Sequence, residues 1–153
     1  MNQIAKLLPP ANILLDVDTE SKAGLFEAVG ALFEANCAIA RRTVVGSLVT
    51  REKLGSTGLG QGVAIPHGRI KGLAQAQGAF VNLQRPIAFD APDGKPVSQV
   101  FVLLVPEQAT EQHLQLLSEL AQMFSDRDFR GRLAAAPDAG AVHRLFEQWA
   151  TSP

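Results

Sequence analysis

QGAFVNLQ at 77–84 and SQVFVLLV at 98–105 are apolar runs of strand length, and their reading decides the fold class. Between them lies Phe89–Pro96, where Pro92, Asp93 and Gly94 supply turn chemistry, and Pro106 closes the second run. On the N-terminal side, Ala11–Val17 reads as a short strand. Asp18, Thr19 and Ser21 then offer N-cap oxygens ahead of the helical spacing of Leu25, Val29, Leu32 and Phe33. A helix over about Ser21–Asn36 is expected. A second, opening at Arg41 or Thr43, places Val44, Val45, Leu48 and Val49 on one face, ends near Leu54 and leaves Arg51 in its last turn. On the C-terminal side, Thr110 is a candidate cap for a helix carrying Leu114, Leu117, Ala121 and Phe124, and further helices are expected at Asp126–Ala135 and Asp138–Trp149. Strands bracketed by helices, with no fixed-period repeat or low-complexity linker, predict an α/β fold. The expectation is a single domain over 1–153 with a mixed β-sheet flanked by helices on both faces.

Composition narrows the function classes. Hydrophobic residues make up 46% and charged residues 19% of 153 residues, a globular balance. Fourteen Lys and Arg against fifteen Asp and Glu leave a formal charge of -1, so nothing favours broad binding to nucleic acid or anionic lipid. A single cysteine, Cys37, excludes an internal disulfide and a multi-thiolate metal site; it reads as a small buried hydrophobe at a helix end. Met1–Leu15 contains no signal-like apolar run and no later segment has the length of a membrane span, so a cytoplasmic protein without membrane insertion is expected.

The chemistry rests on three histidines, His67, His113 and His143. None shows zinc-protease or Cys/His metal-ligand spacing, and neither metal nor cofactor is expected. Gly58, Gly60 and Gly62 are not followed by the Lys-Ser or Lys-Thr of a P-loop. The Rossmann order is reversed as well, with a strand after the glycines. These glycines instead bend the backbone closely around His67, or admit a bulky partner to it. His67 stands at the end of the short apolar strand Val63–Ile65, with Pro66 restricting the chain before it and Gly68 leaving space after it. An imidazole presented in this way is a nucleophile able to carry a phosphoryl group; the alternative is a histidine whose ring satisfies loop carbonyls.

The run TREKLGSTGLGQGVAIPHG at 50–68 resembles the phosphorylation-site signature of the fructose/mannitol-type IIA domains of the bacterial phosphotransferase system. PIAFDAPDGKPV at 86–97, together with VLLVPEQATEQHL at 102–114, is similar to the nitrogen-regulatory branch of that family. The resemblance covers nearly the whole chain and implies an α/β fold with a mixed sheet. It also implies a phosphohistidine at His67, through Nε2, loaded by a small HPr-like donor that an enzyme I charges from phosphoenolpyruvate. By position, His113 matches the family's second active-site histidine, expected to hydrogen-bond a phosphoryl oxygen, and Arg51 matches an arginine expected to spread phosphoryl charge.

Other readings stand beside these. His113 lies in the first turn of a helix, where an anion is favoured, or simply covers an apolar stripe beside Leu116 and Leu117. Arg51 is otherwise a helix C-terminal cation. Glu52 either orients a ring or lies on a solvated helix face. His143 reads as an ordinary helix residue, Arg69 has no matched role, and Asp90, Asp93 and Lys95 read as a surface loop. The resemblance implies a stoichiometric phosphoryl carrier that controls target proteins such as transporters or kinases through its phosphorylation state. The alternatives are a sugar-transport component passing the group to a IIB domain, and a binding module that acts without phosphorylation.

Overall fold

The computed structural model describes residues 3–108 and 110–149, the side chain of Thr110 excepted. In chain order the elements are α1 (Gln3–Lys6), a 3-10 turn at Pro10–Asn12, β1 (Ile13–Val17), α2 (Lys22–Cys37), α3 (Arg41–Glu52), β2 (Gly58–Gly60), β3 (Val63–Ala64) and β4 (His67–Ile70). They continue with β5 (Gln77–Ile87), β6 (Val97–Pro106), α4 (Thr110–Ser125), α5 (Arg127–Ala135) and α6 (Ala139–Gln148). The sheet is six-stranded and mixed, in the order β1-β5-β6-β3-β2, with β4 also paired to β6. β5 and β6 are antiparallel, β1 runs parallel to β5, and β3 and β4 both run parallel to β6.

The two long runs are apolar almost throughout because both of their faces are covered. Successive side chains of a strand point to opposite faces. Phe101, Leu103 and Val105 of β6 join Phe80 in a core with Leu116, Leu120, Phe124, Phe129, Leu133, Val142 and Phe146, which is the layer of α4, α5 and α6. Val100, Val102 and Leu104 join Ala79 and Val81 against Leu25, Phe26, Val29, Phe33, Val44 and Leu48, the layer of α2 and α3.

Caps define the helix starts. Ser21 Oγ accepts from Gly24 N at 3.0 Å, Asp126 accepts from the backbone of Asp128 and Phe129, and Asp138 Oδ1 accepts from Ala141 N at 2.8 Å. The cap expected of the Thr110 side chain lies outside the described residues. The strand expected from Ala11 begins at Ile13, because Pro10–Asn12 closes a 3-10 turn in which Asn12 N donates to Pro9 O at 2.8 Å. The short helix α1 has no counterpart in the sequence reading; it buries Ile4 and Ala5.

Two more local readings change. Cys37 is half-buried rather than buried, with Sγ 3.7 Å from Gln77 Oε1 and 3.9 Å from Asn12 Nδ2, a polar neighbourhood at the end of α2. His67 opens a strand instead of ending one. Pro66 has no N–H to give a ladder, so the chain breaks after β3, and pairing with β6 resumes at His67 opposite Leu103. The break divides one edge of β6 between β3 and β4.

Candidate active site

β4 pairs, among the described residues, with β6 alone and alternates its side chains. Gly68 faces α3, where a Cβ would collide with Ser47 Oγ and crowd Ser47 Cβ at 3.1 Å, so a larger residue would force helix or strand to give way. His67 and Arg69, on the other face, look toward α4. Arg51 reaches the same ring from the end of α3, and His113 approaches it from the first turn of α4. The structure thus brings together all three residues singled out in the sequence, one from the sheet and one from each helical layer.

The contacts of His67 fix its protonation. Arg51 Nε, an obligatory donor, lies 3.2 Å from His67 Nε2, and His67 Nδ1 lies 2.9 Å from the carbonyl oxygen of Ile65. A guanidinium cannot accept and a carbonyl cannot donate, so the ring proton sits on Nδ1 and the lone pair on Nε2. The pKa of His67 is lowered, chiefly by burial; the Ile65 carbonyl and the Glu52 charge oppose this, while Arg51 adds to it. The ring is therefore neutral at pH 7.

His113 packs edge-on against it, with ring centroids 5.1 Å apart and planes at 67°. It is 8% exposed, and its Nε2 is a buried polar atom without a hydrogen-bond partner among the described residues. Burial first, then the neighbouring His67, Arg69 and Arg51, push its pKa down to about 4. A buried unpaired nitrogen is costly. The His113 ring lines an open cavity of about 550 Å³ together with Ser47, Thr50 and Arg51 of α3 and His67 and Arg69 of β4. Its lining brings together two guanidinium side chains and two imidazoles, a set suited to an oxyanion. Among the described residues, no group of three or more His, Cys, Asp and Glu is placed to hold a metal, and no helix is long and apolar enough to cross a membrane.

Other residues fall where spacing did not put them. Glu52 neither touches the ring nor faces water: its side chain is 7% exposed and bonded to Thr57 and Lys22. Arg69 lines the site while Nη1 donates to Glu107 O at 3.2 Å; reading His67–Ile70 as a strand would have placed it on the face of His67. Lys22 carries no local signal, being 30 residues from the carboxylate it meets. His143 lies outside the site, with Nδ1 2.8 Å from Leu8 O and Nε2 3.6 Å from Glu147. Asp93 does more than decorate a surface loop: Oδ2 accepts from Gln61 N at 2.9 Å and Oδ1 from Lys95 N at 3.1 Å, tying the turn to the glycine segment.

The model of the family described as phosphoenolpyruvate-dependent sugar phosphotransferase system, EIIA 2, matches residues 6–149. The chain belongs to this family. A nitrogen regulatory protein of Pseudomonas aeruginosa is 42% identical over 146 residues, covering 95% of each chain. The crystal structure of nitrogen regulatory protein IIA-Ntr from Neisseria meningitidis superimposes with a TM-score of 0.89 at 50% identity, over 94% of this chain and 99% of that one. Within the EIIA 2 family the chain thus falls in the nitrogen regulatory branch. Mannitol IIA from Escherichia coli, at 20% identity, shares the fold with a TM-score of 0.75 over 90% of this chain and 96% of that one.

Proposed function

We propose that this EIIA-type protein is a cytoplasmic phosphoryl carrier that accepts the group on Nε2 of His67 from an HPr-like donor, and that its phosphorylation state regulates partner proteins. The observation that carries the reading is the convergence on one imidazole: a lone pair on His67 Nε2, a guanidinium 3.2 Å from it, and the His113 ring packed edge-on against it, its buried Nε2 without a partner among the described residues.

The bond between phosphorus and the donor breaks with its electron pair staying on the donor, while the lone pair of His67 Nε2 forms the new P–N bond. Nδ1 keeps its proton throughout, and the Ile65 carbonyl stabilises the positive charge that builds on the ring. The Arg51 guanidinium turns from the ring nitrogen to the phosphoryl oxygens, and His113 Nε2–H donates to another. Both act by positioning and charge, the terms that dominate phosphoryl transfer.

The regulatory role rests on the likeness to the nitrogen regulatory proteins of Pseudomonas and Neisseria. A phosphoryl group adds a charge of about −1.5 to −2. It does so in a cavity whose lining includes Leu54, 82% exposed, so a partner seated there meets two different surfaces before and after loading.

The test is intact-mass analysis of wild type and His67→Ala after incubation with phosphoenolpyruvate, enzyme I and an HPr-like donor shown to be charged. One added phosphoryl on wild type alone supports the carrier. Stoichiometric loading of folded His67→Ala, or none on wild type, overturns it, and rapid passage of the group to a IIB domain would replace the regulatory reading with a transport one.

A further inference from the structure

The Glu52 carboxylate is the most heavily bonded acidic group near the site, yet it touches none of the residues assigned to the chemistry. Oε1 accepts from Thr57 Oγ1 at 2.6 Å, and Oε2 accepts from Thr57 N at 3.0 Å and from Lys22 Nζ at 2.9 Å. Thr57 is itself buried, at 6% exposure. A carboxylate withdrawn from water must be paired and fully hydrogen-bonded, and both oxygens of this one are.

Two chains of bonds run from this latch to opposite sides of the same imidazole. Along the first, Ile65 N donates to Thr57 O at 3.0 Å, and Ile65 O faces His67 Nδ1 at 2.9 Å. Along the second, the turn after α3, pinned at Thr57, presents Gly55 O to Arg51 Nη1 at 2.8 Å, while Arg51 Nε lies 3.2 Å from His67 Nε2. Lys22 anchors the latch to a further element, with Nζ 3.3 Å from Phe89 O and 4.4 Å from the centre of the Phe89 ring. One carboxylate therefore sets the acceptor at Nδ1 and the donor at Nε2 together.

We propose that Glu52, acting through Thr57, is the positioning residue that fixes the tautomer and orientation of His67 and the placement of Arg51. Loss of the latch lets the Ile65 carbonyl and the Arg51 guanidinium move independently. The ring then populates both neutral tautomers, and Nε2 carries a proton for part of the time. The effect on phosphoryl acceptance rests on the carrier reading above; the effect on the tautomer does not, because it belongs to the unloaded protein.

The experiment measures the ring ¹⁵N shifts of His67, the initial rate of phosphoryl acceptance and urea stability in Glu52→Met, Glu52→Gln, Thr57→Val and Thr57→Ser. Glutamine presents its amide oxygen to Thr57 N–H and its amide N–H to Thr57 Oγ1, and serine keeps the hydroxyl, so both are rescuing variants. Expected is a single Nδ1–H tautomer in wild type, Glu52→Gln and Thr57→Ser, a mixture in Glu52→Met and Thr57→Val, and a rate lower by about tenfold to a hundredfold in those two. Should Glu52→Met fail to fold, the Thr57 pair decides. A wild-type tautomer in folded Thr57→Val and Glu52→Met, whatever their stability, overturns the proposal. A shifted tautomer in a chain whose wild type accepts no phosphoryl sinks the carrier reading and leaves the positioning intact.

Discussion

Acidification should unfold this protein partly through His113, by an amount the site's geometry sets. In the unfolded chain the ring titrates at its ordinary 6.5, whereas in the folded chain burial and the adjacent cationic groups hold it at about 4. Between these values the unfolded state binds a proton that the folded state refuses, so stability falls as pH falls and is flat with respect to this group above 6.5 and below 4. At about 1.4 kcal/mol per unit, the interval amounts to about 3 kcal/mol, a large share of the stability of a domain this size. The assay is urea unfolding of wild type and His113→Asn at closely spaced pH values from 8 to 4, the carboxylates common to both chains cancelling in the difference. The wild-type advantage should shrink by about 3 kcal/mol on acidification. A difference that stays constant across that range would refute the reasoning, as would a His113 ring shift that titrates near 6.5. Loading His67 should raise the pKa of His113, because the phosphoryl charge offsets the neighbouring guanidinium groups.

Other expectations concern how the site is held. Gly68→Ala should push α3 from β4, lowering stability by about 1–3 kcal/mol and slowing phosphoryl acceptance; adding Ser47→Ala removes the oxygen that the new methyl meets and should recover part of both. Arg51→Ala should raise the pKa of His67 only part-way to its ordinary value, since burial is the larger cause, as a ring-shift titration would register; Arg51→Lys, lacking the planar fork, should accept phosphoryl about tenfold more slowly than wild type. Phe146→Ala should cost about 3–5 kcal/mol in chemical denaturation, because its ring meets Phe80, Phe101, Phe124 and Phe129 in the core of the α4–α6 layer.

What the sequence displays and what it hides divide along physical lines. Runs such as 98–105 and the caps Ser21, Asp126 and Asp138 announce their elements, because burial on two faces and N-terminal hydrogen bonding leave local patterns. His67, Arg51 and His113 are legible through the resemblance, and their meeting at one ring follows from the order of strands. Spacing does not carry that order: the partner of β1 is β5, more than 60 residues away, and β6 shares one edge between two short strands. The strand character of His67–Ile70 is masked by Pro66 and Gly68, both poor strand formers, although the proline break is what starts the strand there. Glu52 looks like any charge on a helix face until the fold returns Lys22 and Thr57 to it.

The site joins the two helical layers that the sheet otherwise keeps apart, with Arg51 supplied from one side and His113 from the other. An anion held by both would act as a removable staple across the edge of the sheet. The first turn of α4 and the last turn of α3 would then open less often once the staple is in place, and their amide protons would exchange with solvent more slowly. Carrier state would thus be recorded in the breathing of two helices as well as in the charge of one side chain, and a partner that grips either helix would sense the load without touching the histidine.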